Sequence, residues 1–154
     1  MLNPRVFIKE ITRWFIGVRR FNTNQIKNFS STVKGKKILE IGSGPFYRGG
    51  YYFSYKKYFE NDNNFICSDI DPTYGHQIID ITKMDFHNDY DIIICMDVLE
   101  HVYNVNEGVS RIYDALLPGG SVIISIPFIY PLHQMPHDYW RITIYGLKEL
   151  LKKF

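Results

Sequence analysis

Four acidic residues stand at the ends of short apolar runs in this 154-residue chain: Glu40, Asp69, Asp80 and Asp97. If the runs are parallel strands, their carboxyl ends meet at one edge of a sheet, where such folds bind ligands. A carboxylate at that edge can accept hydrogen bonds from vicinal hydroxyl groups or from an exocyclic amine. The four acids therefore predict one shared binding site for a polar organic ligand.

The first of these acids leads into a glycine turn in the stretch LEIGSGP, residues 39–45. Gly42 and Gly44 lack the Cβ atoms that would keep a ligand away from the backbone. A tight turn that only requires positive φ is the alternative explanation. A nicotinamide or flavin fingerprint would have a third glycine where this chain has Tyr47, which argues against a dinucleotide.

The acids after the next two runs have different predicted tasks. In CSDIDP, Asp69 is placed to accept hydrogen bonds from the two hydroxyls of a ribose, whereas Asp71 precedes Pro72 and suits a turn. In IIDIT, Asp80 could accept a hydrogen bond from an amine such as adenine N6, with Ile81 packing on the ring. A helix cap or turn is the alternative role for this acid.

A loop rich in histidine and aromatic residues, IPFIYPLHQMPHDYWRIT, follows the last apolar run. His133 or His137 is a candidate general base, Asp138 could orient one of them, and Arg141 could bind an anionic group. The alternative is a structural ion pair between the last two, with solvated histidines. Because Pro136 prevents the helix that would align the two histidines, we predict no metal site.

The elements that must position these residues are strands alternating with helices or connections. KKILEIG, NFICSDI, YDIIICMD and SVIISIPF are short runs rich in β-branched residues, which is typical of buried strands. VNEGVSRIYDALL has helical spacing and is followed by the stop signal LLPGGS, and TIYGLKELLKKF predicts a final helix. We therefore predict an α/β fold with a doubly wound, mainly parallel, Rossmann-like sheet of five strands.

Composition divides the chain into a basic arm and a globular part. Residues 1–37 contain nine Lys or Arg against the single acid Glu10, although the net charge of the whole chain is only +2. VFIKEITRWFIGVRRF predicts an amphipathic helix, which either packs on the domain or contacts an anionic surface. We assign a helical arm to residues 1–35 and a domain to residues 36–154.

The location of the protein is predicted from two further features. Cys67 and Cys95 both lie in apolar runs, where a free thiol behaves as a small hydrophobe, so a disulfide framework is not expected. The arm has no apolar run near the roughly 20 residues of a membrane span, and no signal-peptide cleavage pattern. A reducing, cytoplasmic setting is the resulting prediction.

The ordered set ILEIGSGP, SDIDP, DIT, YDIIICMDVLEHV and LLPGGSVIISIPF resembles the class I S-adenosylmethionine-dependent methyltransferases, particularly the branch called methyltransferase type 11. The resemblance covers about residues 36–150. The motif DVLEHV followed by LLPGG at this spacing is the feature most specific to the family. The resemblance implies S-adenosyl-L-methionine as cofactor, whose sulfonium cation benefits from nearby carboxylates. His101 of LEHV would support the site rather than react. The implied cofactor-binding residues are Glu40, Gly42, Ser43, Gly44, Asp69, Ile70, Asp80, Ile81, Met96 and Asp97.

This chain also departs from the family pattern in the number of its strands. A complete class I sheet has seven strands, the last two forming an antiparallel hairpin, whereas five can be counted here. We therefore expect a sheet without the C-terminal hairpin. An uncovered fifth strand would be an exposed edge that favours a homodimer.

Three functions follow as alternatives. The leading one is methyl transfer to a small-molecule or glycan acceptor, at oxygen. A catalytically degenerate relative that binds the cofactor or a partner protein is the second. A nucleic-acid methyltransferase using the basic arm is the third, and the lack of an Asn/Asp-Pro-Pro-Tyr signature after the fourth strand argues against it.

Overall fold

A five-stranded sheet forms the centre of the protein in a computed structural model that describes residues 20–45, 54–59 and 64–154. Every strand pair is parallel, and the strand order is β3-β2-β1-β4-β5. The strands are β1 (Lys37–Ile41), β2 (Asn64–Asp69), β3 (Gln77–Ile78), β4 (Tyr90–Met96) and β5 (Leu116–Ser125). The helices are α1 (residues 20–30), α2 (Val105–Ala115) and α3 (Ile144–Leu150). The predicted parallel α/β fold is confirmed.

The central strands are apolar on both faces because helices cover both sides of the sheet. Successive strand residues point to opposite faces. Ile38 and Ile92 accordingly belong to one buried cluster, which also contains Ile26 of α1. Leu39 and Ile93 belong to the other cluster, on the side of α2. This two-sided burial explains why these strands read as continuous apolar runs.

Helix α2 begins as the sequence predicts but ends before Leu116, which the sequence pattern includes in the helix and which lies in β5. The side chain of Asn104 caps the helix at the Glu107 N–H, and the helix ends at Ala115. Leu116 already pairs with Tyr90, and the ladder resumes only at Ser121 and Ile92, so LLPGG forms an irregularity inside β5 rather than a simple connection. The left-handed φ of 79° at Gly119 and the missing N–H of proline account for this break.

The outer strands of the sheet are β3 and β5 within the described part of the chain. Since all five strands are parallel, their last residues lie along the same edge. Those residues are Ile41, Asp69, Ile78, Met96 and Ser125. Most of the basic stretch predicted to form an amphipathic helix, residues 6–21, lies outside the described residues. None of the helices described is long and apolar enough to cross a bilayer.

Candidate functional site

Glu40 holds together the backbone that follows β1. Its side chain is 3% exposed, and its Oε2 accepts a 2.7 Å hydrogen bond from Ser43 Oγ. The hydroxyl of Ser54 donates to the same oxygen, and the Tyr55 N–H donates to Oε1 at 2.7 Å. Three donors from two separate segments therefore converge on one buried carboxylate. In this position Glu40 fixes the glycine turn at the carboxyl edge of the sheet.

Both glycines of this turn have left-handed backbone conformations, with φ of 74° at Gly42 and 70° at Gly44. A Cβ on Gly42 would also lie 2.3 Å from Val98 Cγ2, which is far inside van der Waals contact. The turn thus needs glycine for conformation at both positions and for space at the first. Ligand approach to this backbone stays a prediction.

Asp69 ends β2 and contacts the glycine turn directly. Its Oδ2 accepts a hydrogen bond from the Gly44 N–H at 2.9 Å, and its Oδ1 accepts one from the Asp71 N–H at 3.1 Å. Each carboxylate oxygen can accept two hydrogen bonds, so one acceptor position per oxygen remains for hydroxyl groups. The neighbouring Ile70 is 66% exposed, so it can contact a ligand at this edge.

Asp71 serves the turn, as the sequence predicts. Its Oδ1 accepts hydrogen bonds from the Thr73 hydroxyl at 2.7 Å and from the Thr73 N–H at 2.8 Å, capping a short 3-10 helix, Pro72–Tyr74. These bonds from Thr73 keep the pKa of the Asp71 carboxyl below its ordinary value. The neighbouring acids at the end of β2 therefore have separate roles.

Asp80 follows β3 and is occupied by local hydrogen bonds. Its Oδ1 accepts from the Thr82 N–H and hydroxyl at 2.9 and 2.7 Å, and Lys83 Nζ lies 2.9 Å from its Oδ2. Burial raises the pKa of Asp80, but the bonds from Lys83 and Thr82 outweigh it and leave the pKa below its usual value. Ile81 is 6% exposed and faces Gly108. These contacts agree with the alternative role of Asp80 in a turn, and its role in adenine binding stays a prediction.

Asp97 follows β4 and connects it to β5. Its side chain accepts a 2.6 Å hydrogen bond from Ser125 Oγ, and its N–H donates to the Ser125 carbonyl at 3.1 Å. Its φ of 54° is unusual for a residue other than glycine and marks a backbone held by its surroundings. Met96, the last residue of β4, is partly buried against the α1 side of the sheet.

In the loop after β5, Asp138 and Arg141 form the ion pair given above as an alternative role. Two bonds of 2.7 Å join the guanidinium to the carboxylate. The bonds from Arg141 hold the pKa of Asp138 far below its usual range. Arg141 also donates to the Pro131 carbonyl at 3.1 Å. The pair therefore fixes the shape of the loop.

The two histidines of this loop have different surroundings. Asp138 Oδ2 accepts a 2.9 Å hydrogen bond from the His133 N–H, which places the carboxylate beside that residue. The His133 ring lies against the His101 ring, with 4.7 Å between centroids. His137 Nδ1 instead lies 2.8 Å from the Tyr139 hydroxyl. The structure thus places the ring of His133 against the segment after β4, whereas His137 contacts that segment through its carbonyl oxygen.

Glu100 is the residue that sequence reasoning missed. It lies in a 3-10 helix, Leu99–His101, directly after β4, and its side chain is completely buried. Among the described residues, neither of its carboxylate oxygens has a hydrogen-bond partner. Burial raises the pKa of Glu100 to about 7. Its position beside His101 in DVLEHV was the available signal, but an acid next to a strand end does not reveal its burial.

A parallel sheet in this order, with an acid-anchored glycine turn at its carboxyl edge, has the architecture of the class I methyltransferases. A family model described as "Methyltransferase domain" matches residues 17–146. The chain therefore belongs to this family of methyltransferase domains, and the predicted resemblance is confirmed. A comparison with curated proteins finds no match.

Solved structures share the fold at low sequence identity. A Bacillus halodurans protein described as a "putative methyltransferase" has a TM-score of 0.66 at 16% identity, over 85% of this chain and 67% of its own. Haemonchus contortus phosphoethanolamine N-methyltransferase 2, solved with S-adenosyl-L-methionine, has a TM-score of 0.66 at 20% identity, over 86% of this chain and 36% of its own. This chain therefore spans little more than a third of that enzyme's length.

A third structure is covered over most of its length. It is Burkholderia thailandensis 1,6-didemethyltoxoflavin-N1-methyltransferase, solved with 1,6-didemethyltoxoflavin and S-adenosylhomocysteine. Its TM-score is 0.60 at 17% identity, over 99% of this chain and 79% of its own. At such identities the likeness describes the fold, so the acceptor must be argued from this chain's own residues.

Proposed function

We propose that the protein binds S-adenosyl-L-methionine at the carboxyl edge of its sheet and transfers the methyl group to an oxygen atom of a small-molecule or glycan acceptor. The observation that carries this proposal is the 2.9 Å hydrogen bond from the Gly44 N–H to Asp69 Oδ2. It joins the glycine turn after β1 to the acid after β2. These are the two features that the family resemblance assigns to the methionine and ribose parts of the cofactor.

The residues around this bond fit such a ligand. Gly42 and Gly44 adopt the left-handed conformations that form the turn beside Asp69, and Asp69 keeps acceptor positions for hydroxyl groups. When bound, the cofactor supplies an activated methyl group on a sulfonium ion. Glu40 contributes indirectly, because its three hydrogen bonds hold the turn in one conformation. A turn that is already ordered loses less entropy on binding.

We assign binding of the acceptor to the loop that follows β5. This loop is fixed beside the segment after β4, since the Tyr139 N–H donates to the Glu100 carbonyl at 2.8 Å and Trp140 Nε1 donates to the Val102 carbonyl at 2.9 Å. Tyr139 and Trp140 are 39% and 38% exposed, so their aromatic side chains offer flat apolar surface to a substrate. Positioning a nucleophile and excluding water are the main requirements of methyl transfer.

A hydroxyl acceptor carries a proton that must be removed during methyl transfer, so a general base is needed near the loop. His133 and His137 are the candidates, and the ring of His137 is within hydrogen-bond distance of the Tyr139 hydroxyl. Asp138 and Arg141 contribute by holding the loop in shape through their ion pair. This assignment rests on position and chemistry within the loop.

The cofactor proposal is tested by isothermal titration of the full chain with S-adenosyl-L-methionine and S-adenosylhomocysteine. Asp69→Ala should weaken binding by about 1.5–3 kcal/mol because charged hydrogen bonds to the ribose are lost. Asp71→Ala is the matched control, since that acid is engaged by Thr73 and should affect affinity far less. Equal affinity of Asp69→Ala and the parent protein would show that another acid holds the ribose.

The acceptor proposal requires a separate measurement. Formation of S-adenosylhomocysteine with a panel of hydroxylated small molecules and glycans should reveal turnover, and His137→Gln should lower it. Cofactor binding without turnover of any acceptor would favour the degenerate alternative. Turnover with oligonucleotides alone would favour the third function.

A further inference from the structure

Three Lewis-basic atoms converge beside the end of β4. His101 Nε2 lies 3.8 Å from Glu100 Oε1, and His133 Nε2 lies 3.9 Å from the same oxygen. One ligand atom from each of the three residues lies within 4.8 Å of the other two. The residues come from two distant parts of the sequence, the LEH segment and the loop after β5. We call this group the Glu-His-His cluster.

Hydrogen bonds on the far side of both rings define which nitrogen carries the proton. His101 Nδ1 lies 2.5 Å from the His137 carbonyl oxygen, and His133 Nδ1 lies 3.2 Å from the Pro131 carbonyl oxygen. A carbonyl oxygen can only accept, so each Nδ1 must be the donor. In the neutral rings, both Nε2 atoms therefore present lone pairs toward the carboxylate.

When ionised, the Glu100 carboxylate offers only lone pairs to these two ring nitrogens. Its two oxygens are buried without a hydrogen-bond partner among the described residues. A buried, unpaired carboxylate is costly, and such groups are usually paired or coordinate a metal. A cation between the three atoms would satisfy the carboxylate and both ring nitrogens together.

We propose that Glu100, His101 and His133 bind one divalent transition-metal ion of the Zn²⁺ or Co²⁺ type. Two imidazole nitrogens and one carboxylate oxygen form a donor set that such ions accept, and three protein ligands leave a coordination position open. Metal–ligand distances of about 2.1 Å place tetrahedral ligands about 3.4 Å apart. The observed separations are 3.8 and 3.9 Å from the carboxylate oxygen and at most 4.8 Å within the group, so the side chains must move inward by about 0.4–1.4 Å.

The surroundings of the cluster match those of metal ligands. Ligating histidines usually donate their second nitrogen to a carbonyl or carboxylate, which fixes ring orientation. Both rings do so here, and Asp138 Oδ2 lies 3.3 Å from His133 Nδ1 as a second acceptor. The sequence prediction of no metal site considered His133 only with His137. The structure pairs His133 with Glu100 and His101, a combination that sequence spacing does not show. As a metal ligand His133 could not act as the general base, which leaves His137 as the candidate for that role.

Metal binding is tested without any catalytic assay, so the result is independent of the proposed function. The full chain is treated with chelator, dialysed, and titrated with Co²⁺ and Zn²⁺ by calorimetry and, for Co²⁺, by visible absorption. We expect one ion per chain. Glu100→Gln preserves side-chain shape and should weaken binding on the order of 100-fold, as should His133→Ala.

His87→Ala is the matched control, because that histidine is 65% exposed and forms an ion pair with the exposed Asp85. Its affinity for both ions should equal that of the parent protein. Circular dichroism establishes that each variant is folded, and Glu100→Gln remains informative if His133→Ala does not fold. Failure of the parent protein to bind either ion, or equal binding by all variants, overturns the proposal.

Discussion

At the scale of single residues, Gly42 shows how one position serves two physical requirements. Its φ of 74° is costly for residues with a side chain, and the space where a Cβ would lie is already filled by Val98. Gly75 has the same φ of 74° but nothing within 4 Å of the equivalent Cβ position. Comparing the two glycines separates the conformational cost from the steric cost.

We predict that Gly42→Ala destabilises the protein more than Gly75→Ala does. The backbone term of about 1–2 kcal/mol applies to both variants. Overpacking against Val98 should add about 1–3 kcal/mol only at Gly42. Urea unfolding of both variants measures the difference, and adding Val98→Ala to Gly42→Ala should recover part of it. Equal losses in both variants would mean that the contact with Val98 relaxes without cost.

Residue roles could be predicted from sequence where chemistry is local. The turn role of Asp71 followed from the adjacent proline, and its contacts with Thr73 agree. Glu100 could not be assigned, because its burial and its proximity to His133 depend on how a distant loop folds over the end of β4. The cofactor roles given to Asp69 stay predictions until a ligand is bound.

At the scale of elements, charged groups join the first residues of the two central strands. Asp91 in β4 accepts a 2.8 Å hydrogen bond from Lys36 Nζ and a 2.9 Å bond from the Lys37 N–H at the start of β1. The bond from the Lys36 side chain, and then the Lys37 N–H, lower the pKa of Asp91 from its ordinary 3.8. The pairing of these strands is therefore coupled to pH.

The direction of this coupling gives a prediction for Asp91→Asn. Because the folded pKa lies below the unfolded one, the ionised carboxylate stabilises the fold above pH 3.8, and this contribution is lost as pH falls through the folded pKa. Asp91→Asn should cost roughly 0.5–1 kcal/mol at pH 7 and progressively less below pH 3.8. Urea unfolding across this range measures it.

The matched control for the strand-joining acid is Asp85→Asn, whose carboxylate is 81% exposed. It should change the free energy of unfolding at pH 7 very little. A loss in Asp91→Asn that stayed constant down to the lowest pH would argue that packing, and not ionisation, is responsible.

Elements were predictable where the pattern is periodic. The β-branched runs predicted β1, β2, β4 and β5 because apolar residues of these strands pack into the clusters on both faces of the sheet. The break within β5 was not predicted, since LLPGG signals a turn without showing that Leu116 pairs with Tyr90 first. Such irregular pairing depends on the neighbouring strand.

At the scale of the whole molecule, the sheet separates two apolar clusters, and α1 belongs to one of them. Ile26 of this helix is 1% exposed and lies in the cluster of Ile38 and Ile92. The sequence prediction assigned residues 1–35 to an arm and residues 36–154 to the domain. The packing of Ile26 raises the question of whether α1 unfolds together with the sheet.

We predict that Ile26→Ala lowers the free energy of unfolding by about 2–4 kcal/mol, because a cavity forms within a cluster shared by helix and sheet. The m value, which is the slope of the free energy of unfolding against urea concentration, should stay unchanged if helix and sheet unfold in one transition. Phe21→Ala on the same helix is the control, since Phe21 is 62% exposed and its loss should cost little. If Ile26→Ala left the midpoint where it is, α1 would belong with a separately folding arm, and the boundary at residue 35 would hold.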